Sequence, residues 1–330
     1  MIGLALRLTV AGGREAVTRL TLIVVAVAIG VGLLLATVAG LNAVHSQNDR
    51  YAWLETGFAG GATSAGPAGD PIWWRLRADR FDGNDIGQVD LAATGANPPL
   101  PPGMTALPGP GEYYASPAMA ALLRRIPAAE LADRYPGRLI GTIGSAALPS
   151  PDTLVIVIGH TAAELSHQSD AELVNRISTT APDQCAGAGC AVGVGTNANG
   201  ITLILAVVAA ALLFPVLLFI GNATRLSAAR REQRLAAMRL VGATPRQTAV
   251  VSTVESSLAA AVGTAFGFAM FFAARPAIAG IPFTGARFFV GDLSLNLIDV
   301  LAVGLGIPVA AALAARLALR RVTISPLGVT

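Results

Sequence analysis

Residues 20–41, LTLIVVAVAIGVGLLLATVAGL, carry no charged side chain, and this run decides the fold class. A hydrocarbon core of about 30 Å is crossed by roughly 20 apolar residues in helix. The run is too long for the apolar centre of a secretory signal, and the segment before it bears Arg7, Arg14 and Arg19, which suits a retained anchor. Three more runs follow: 201–220 without charge, 248–274 with Glu255 alone, and 297–319 with Asp299 at one end and Arg316 at the other. The sequence therefore predicts an integral membrane α-helical bundle of four transmembrane helices. A hydrophobic content of 53% with 13% charged residues, and a mean hydropathy of +0.61, exclude an ordinary solvated globule.

Charge placement predicts orientation, because arginine-rich short loops stay on the cytoplasmic side. Segments 1–19 and 221–247, with the C-terminal end from Arg316, hold twelve arginines against two acids, a balance of +10. The long segment 42–200 holds nine arginines against fifteen acids, a balance of −6. Both termini are thus expected in the cytoplasm, with a tail at 320–330, while 42–200 and the loop 275–296 are expected outside. All 23 basic residues are arginine. Without lysine the chain has no P-loop lysine, Schiff base or pyridoxal anchor, so ATP would be hydrolysed by another polypeptide. A net charge of +3 gives no argument for nucleic acid.

The segment 42–200 is long enough for an extracytoplasmic α+β domain inserted between helices 1 and 2. Gly-, Pro- and Ala-rich stretches at 57–71 and 94–111 predict loops, and 88–93 and 152–159 predict strands, the latter buried because its apolar run is continuous. Ser116-Pro117 predicts a helix start, and Thr161 with Glu164 and Ser169 with Glu172 both fit the capping box. Cys185 and Cys190 are expected to form a small-loop disulfide, a local staple rather than a redox centre. His45, His160 and His167 have no companions at ligand spacing, so surface or structural roles are expected and no metal.

The loop after the second predicted span reads RLSAARREQRLAAMRLVGATPRQTAVVSTVESS from Arg225. Residues 228–241 lack Gly and Pro and place Leu235 and Met238 on one face, which predicts a short amphipathic helix. Gly242 is a stop signal, and Thr244-Pro245-Arg246-Gln247 is a capping box with proline at the first helical position of the next helix.

At Arg230, Arg231, Glu232, Arg239, Gly242, Ala243, Thr244 and Glu255 the sequence resembles the FtsX-like (MacB-type) permease family of ABC transporters. The ending at Ser325-Pro326-Leu327 and the order of one helix, a large insertion and three helices agree with it. The stretch GEYYASPAMAALLRRI from Gly111 also looks like long actinobacterial permeases, of which this chain would match a first half. The chain ends shortly after Pro326, which leaves open a four-helix subunit or one half of a longer or split protein. The resemblance implies a non-enzymatic permease subunit that transmits force from a cytoplasmic ABC ATPase dimer to the external domain, for export or extraction of a lipid, lipoprotein or peptide. ATP and Mg would sit in that partner, and a second permease subunit or half would complete the assembly. The coupling helix would be gripped through Arg230, Arg231, Glu232, Arg234, Leu235, Met238 and Arg239, with Gly242 and Thr244 fixing the turn. The bland alternative is that these arginines face anionic membrane lipid, at about 1 kcal/mol each. A regulatory membrane protein that senses a ligand or activates a cell-wall hydrolase is the alternative function class.

Within the predicted spans, Glu255 is an intramembrane carboxylate, expected to hold an interhelical hydrogen bond rather than move protons. Asp299 is expected to be hydrated near the outer interface, Pro215 and Pro308 to kink their helices, and Gly263 with Gly267 to form a helix contact or a dimer seam. No histidine or cysteine falls in a span and no HExxH occurs, which weighs against an intramembrane enzyme.

Overall fold

A computed structural model describes residues 13–57, 69–179, 204, 207, 208, 211, 245–282 and 285–323. Five α-helices are seen there: α1 (Gly13–Tyr51), α2 (Pro117–Arg125), α3 (Ala162–Ser166), α4 (Pro245–Ala279) and α5 (Leu297–Thr323). Six strands accompany them: β1 (Ile72–Phe81), β2 (Asn84–Ala93), β3 (Glu112–Ala115), β4 (Arg138–Thr142), β5 (Val155–Gly159) and β6 (Glu172–Val174). The chain divides into two units, one of residues 1–40, 204–276 and 294–330, the other of residues 41–203 and 277–293.

The described residues of the first unit are mainly helical. Three stretches are long and apolar enough to cross a membrane: Leu20–Glu55, which covers most of α1 and the 3₁₀ turn after it, Ser256–Ala279 of α4 and Leu297–Arg316 of α5. The described residues thus give three candidate spans; apart from residues 204, 207, 208 and 211, the predicted span at 201–220 lies outside them. On α1, Val27, Val31, Leu35 and Ala39 are buried four residues apart, while Leu22, Val25, Ile29 and Leu33 are exposed. A helix apolar on both its packed and its open faces suits lipid rather than water. α1 does not stop where its apolar run ends at Leu41. NAVHSQNDRY, from Asn42, contains neither Gly nor Pro, and the helix continues through it to Tyr51. α5 starts on a reciprocal cap: Asp299 N–H donates to Asn296 Oδ1 at 2.8 Å, and Asn296 N–H to Asp299 Oδ2 at 3.1 Å. Asp299 therefore serves the helix start directly.

The second unit is a mixed sheet in the order β4-β3-β5-β2-β1-β6. β1 and β2 form an antiparallel hairpin closed by Asp82 and Gly83, whose φ angles of 49° and 77° suit a two-residue primed turn. β5 pairs parallel with β2 and antiparallel with β3, and all five of its residues are buried, as its continuous apolar run predicts. Side-chain alternation divides the core between the two faces. One face gathers Val89, Leu91, Val155 and Val157 with Trp53, Leu54 and Trp74; the other gathers Ile86, Ile156 and Ile158 with Met119 and Leu131.

The helix starts at Ser116 and Thr161 are as the sequence predicts. Ser116 Oγ accepts from Met119 N–H at 3.1 Å, and Thr161 and Glu164 form the capping box of α3. The third expected start is a correction: Glu172 opens no helix after Ser169 but lies in β6, which pairs with Ile72, Trp73 and Trp74. The exposed backbone edge of β1 competes for this segment, and a capping pattern alone does not outweigh a strand partner. Residues 94–111 carry neither helix nor strand, and they close over the end of β5 through Gly111 N–H to Gly159 O at 3.3 Å.

Candidate coupling junction

The last turn of α1 carries Arg50 and Tyr51 into the sheet domain, followed by a 3₁₀ turn at Ala52–Glu55 whose four residues are all buried. Trp53 anchors this turn. Its indole N–H donates to Ala147 O at 2.7 Å, and its ring meets Trp74 edge-on with centroids 5.9 Å apart. Large aromatic pairs in this geometry contribute beyond their buried area. Tyr51 O–H donates to Glu55 Oε1 at 2.9 Å, so the buried carboxyl has a partner.

Arg50 leaves the helix on the same side and meets Asp292 from the connection between α4 and α5. Arg50 Nη1 donates to Asp292 Oδ2 at 3.0 Å, and Nη2 bonds Oδ1, giving a two-pronged ion pair. The Asp292 side chain is 4% exposed and that of Arg50 20%. The guanidinium also lies 5.2 Å from the centre of the Phe289 ring, within cation–π range, and Phe289 itself packs on the sheet core. Further along, Arg287 Nε donates to Asp152 Oδ2 at 2.7 Å. That hydrogen bond, first among its causes, holds the Asp152 carboxyl below the usual carboxylate range, against a smaller opposing effect of burial.

A second polar group lies on the sheet. Asp90 of β2 is 1% exposed and accepts from Gln88 Nε2 at 2.7 Å and Arg77 Nε at 3.0 Å, with His160 Nε2 at 3.2 Å. Arg75 completes it by donating to Asp170 at 2.8 Å. Cations and anions satisfy one another here, which makes the cluster a structural tie between β1, β2 and the start of α3. Elsewhere in the domain, burial pushes the Asp79 carboxyl up, but hydrogen bonds from Tyr135, Arg80 and Arg134 outweigh it and leave a lowered pKa. Tyr135 is pushed up by burial and by that carboxylate.

In the helical unit, α1 and α4 meet through glycine. A Cβ on Gly263 would lie 2.7 Å from Val27 Cβ and 2.9 Å from Val24 O, and one on Gly267 would lie 2.9 Å from Ala28 O. Ala259, Ala260 and Phe271 extend this buried stripe. The glycine pair is therefore a contact within the chain, which decides between the two uses the sequence left open.

The predicted coupling residues Arg230, Arg231, Glu232, Arg234, Leu235, Met238, Arg239, Gly242 and Thr244 lie outside the described residues, as do Cys185 and Cys190. Glu255 has its backbone in α4. Among the described residues no group of three His, Cys, Asp or Glu side chains is arranged to hold a metal ion. The residues that the structure brings together, Arg50, Asp152, Arg287 and Asp292, were visible in the sequence only as scattered charges. Separations of 242 and 135 residues carry no local pattern.

The family model described as FtsX-like permease C-terminal matches residues 204–326. No curated protein matches the sequence.

Proposed function

We propose, from the premise that this membrane-embedded chain carries an FtsX-like permease C-terminal domain over residues 204–326, that it transmits force from a separate ABC ATPase to the sheet domain. The observation that carries the reading is this match combined with a folded α+β unit placed between α1 and the matched region. A helix at 228–241 receives the ATPase through Leu235 and Met238, with Arg230, Arg231, Arg234 and Arg239 around them and Glu232 among them. Both termini and this loop face the cytoplasm, and the sheet domain faces outside. A second permease subunit or half pairs with the chain, so that two such helices meet an ATPase dimer. The cargo is a lipid, lipoprotein or peptide, and Glu255 holds α4 to a neighbouring helix by a hydrogen bond.

α1 supports this use physically. A helix that runs without interruption from Gly13 to Tyr51 transmits displacement along its axis better than a flexible linker of the same length. The test is co-purification of the full chain with a candidate ABC ATPase, comparing wild type with Leu235→Asp and Met238→Asp. Loss of the ATPase in both variants is expected; undiminished retention contradicts docking at this helix.

A further inference from the structure

The connection between α4 and α5 is remote in sequence from the sheet, yet residues 277–293 belong to the same folded unit. Phe288 and Leu293 are buried, Phe289 packs on the core cluster around Trp53, and Asp292 is buried against Arg50. Backbone bonds within the segment fix its own shape, among them Phe288 N–H to Ala279 O at 3.1 Å and Asp292 N–H to Phe289 O at 2.9 Å. The apolar contacts alone would hold a loop here. A buried ion pair adds little net stability over an apolar pair, but it admits one register and is costly to leave half-broken. Such a pair behaves as a clasp, closed in one arrangement or fully released.

We infer that the described residues of this connection, 277–282 and 285–293, form a strap built into the sheet domain, with Arg50–Asp292 as its clasp and Arg287–Asp152 as an outer stay. The chain entering from α4 and leaving to α5 is thereby part of the domain that α1 also enters, and α1 ends at the clasp itself. On the permease reading, on which only this step rests, the domain is driven through the chain entering from α4 and leaving to α5 as well as through α1, which precedes it in sequence.

Hydrogen exchange of the full chain in lipid nanodiscs tests the strap without any ATPase. In wild type, amides of residues 286–293 are expected to be protected far above those of the exposed Asp82-Gly83 turn. Asp292→Asn should speed exchange at 286–293 and around Leu148, whose carbonyl also accepts from Arg50 Nη1 at 3.4 Å, on the order of a hundredfold, with β2 and β5 unchanged. The exchanged pair Arg50→Asp with Asp292→Arg should recover at least about tenfold of that. Arg287→Ala, which leaves the buried pair intact, should affect only the residues around position 287 and around its partner Asp152. Fast exchange of 286–293 in wild type, no effect of Asp292→Asn, or a uniform loss across β2 and β5 would each overturn the strap. Failure of an ATPase to bind would sink the permease reading while leaving this exchange pattern as it is.

Discussion

Gly263 of α4 stands so close to α1 that a methyl group added to it would sit 2.9 Å from the Val24 carbonyl oxygen and 2.7 Å from Val27 Cβ. Backbone cannot yield as a flexible side chain can, so the seam tolerates nothing larger than glycine there. Gly32 on α1 makes the opposite case, because the group its methyl would meet is the terminal carbon of the Met270 side chain. Gly263→Ala and Gly267→Ala should each lower stability by about 1–3 kcal/mol, the usual cost of overpacking. Gly32→Ala should cost less than about 1 kcal/mol, since Met270 can turn aside. Thermal unfolding in nanodiscs, followed by monodispersity after heating, separates the two; equal losses at all three positions would contradict the seam.

Ser116 joins three segments through one hydroxyl. Its Oγ accepts from Met119 N–H at 3.1 Å and Val155 N–H at 3.3 Å and donates to Thr153 O at 2.6 Å, in a fully buried position. Ser116→Ala should therefore exceed an ordinary cap loss and cost about 2 kcal/mol. Denaturation of the full chain monitored by tryptophan fluorescence reads this directly, since all three tryptophans (Trp53, Trp73 and Trp74) lie in the sheet domain.

Asp90 presents a buried carboxylate to Arg77, Gln88 and His160 at once. Removing it in Asp90→Ala leaves the cations facing a void, and about 3 kcal/mol of domain stability should go with it. Asp170→Ala removes only an exposed partner of Arg75 and should change little. Paired denaturation curves of the two variants check the contrast.

Acid should loosen the outer stay. The Arg287 hydrogen bond lowers the Asp152 pKa, so its contribution is present above the unfolded carboxylate value of about 3.9 and is lost as pH falls through the lower folded value. Asp79, held low by Tyr135 and Arg134, follows the same sign. In Arg287→Ala the exchange rates near Asp152 should already be raised at neutral pH and should respond less to acidification than in wild type. Hydrogen exchange as a function of pH, corrected for intrinsic rates, gives the comparison.

Legibility in the sequence followed the range of the forces involved. The apolar runs behind α1, α4 and α5, the buried strand β5, and the starts at Ser116 and Thr161 rest on neighbours within a few residues, and each has a local signature. β1 has one too: Ile72, Trp74 and Leu76 alternate with Trp73, Arg75 and Arg77, and Asp82-Gly83 follows as a hairpin signal. Glu172 misled because a capping pattern is blind to the strand beside it. The clasp could not be read at all, since nothing about Arg50 in a helical tail or Asp292 in a loop announces a partner 242 residues away. The helix expected at 228–241, on which the ATPase reading turns, lies outside the described residues.

The side of the membrane on which two positions lie tests the central claim most directly. In a chain with Cys185 and Cys190 replaced by serine, a single cysteine is placed at Asp82, in the exposed β1–β2 turn, or at Arg234, and intact cells are treated with a membrane-impermeant maleimide. Asp82→Cys should label at once and Arg234→Cys only after the membrane is opened. Labelling of both from outside, or of Arg234→Cys alone, would contradict a permease whose sheet domain and ATPase-gripping loop stand on opposite sides.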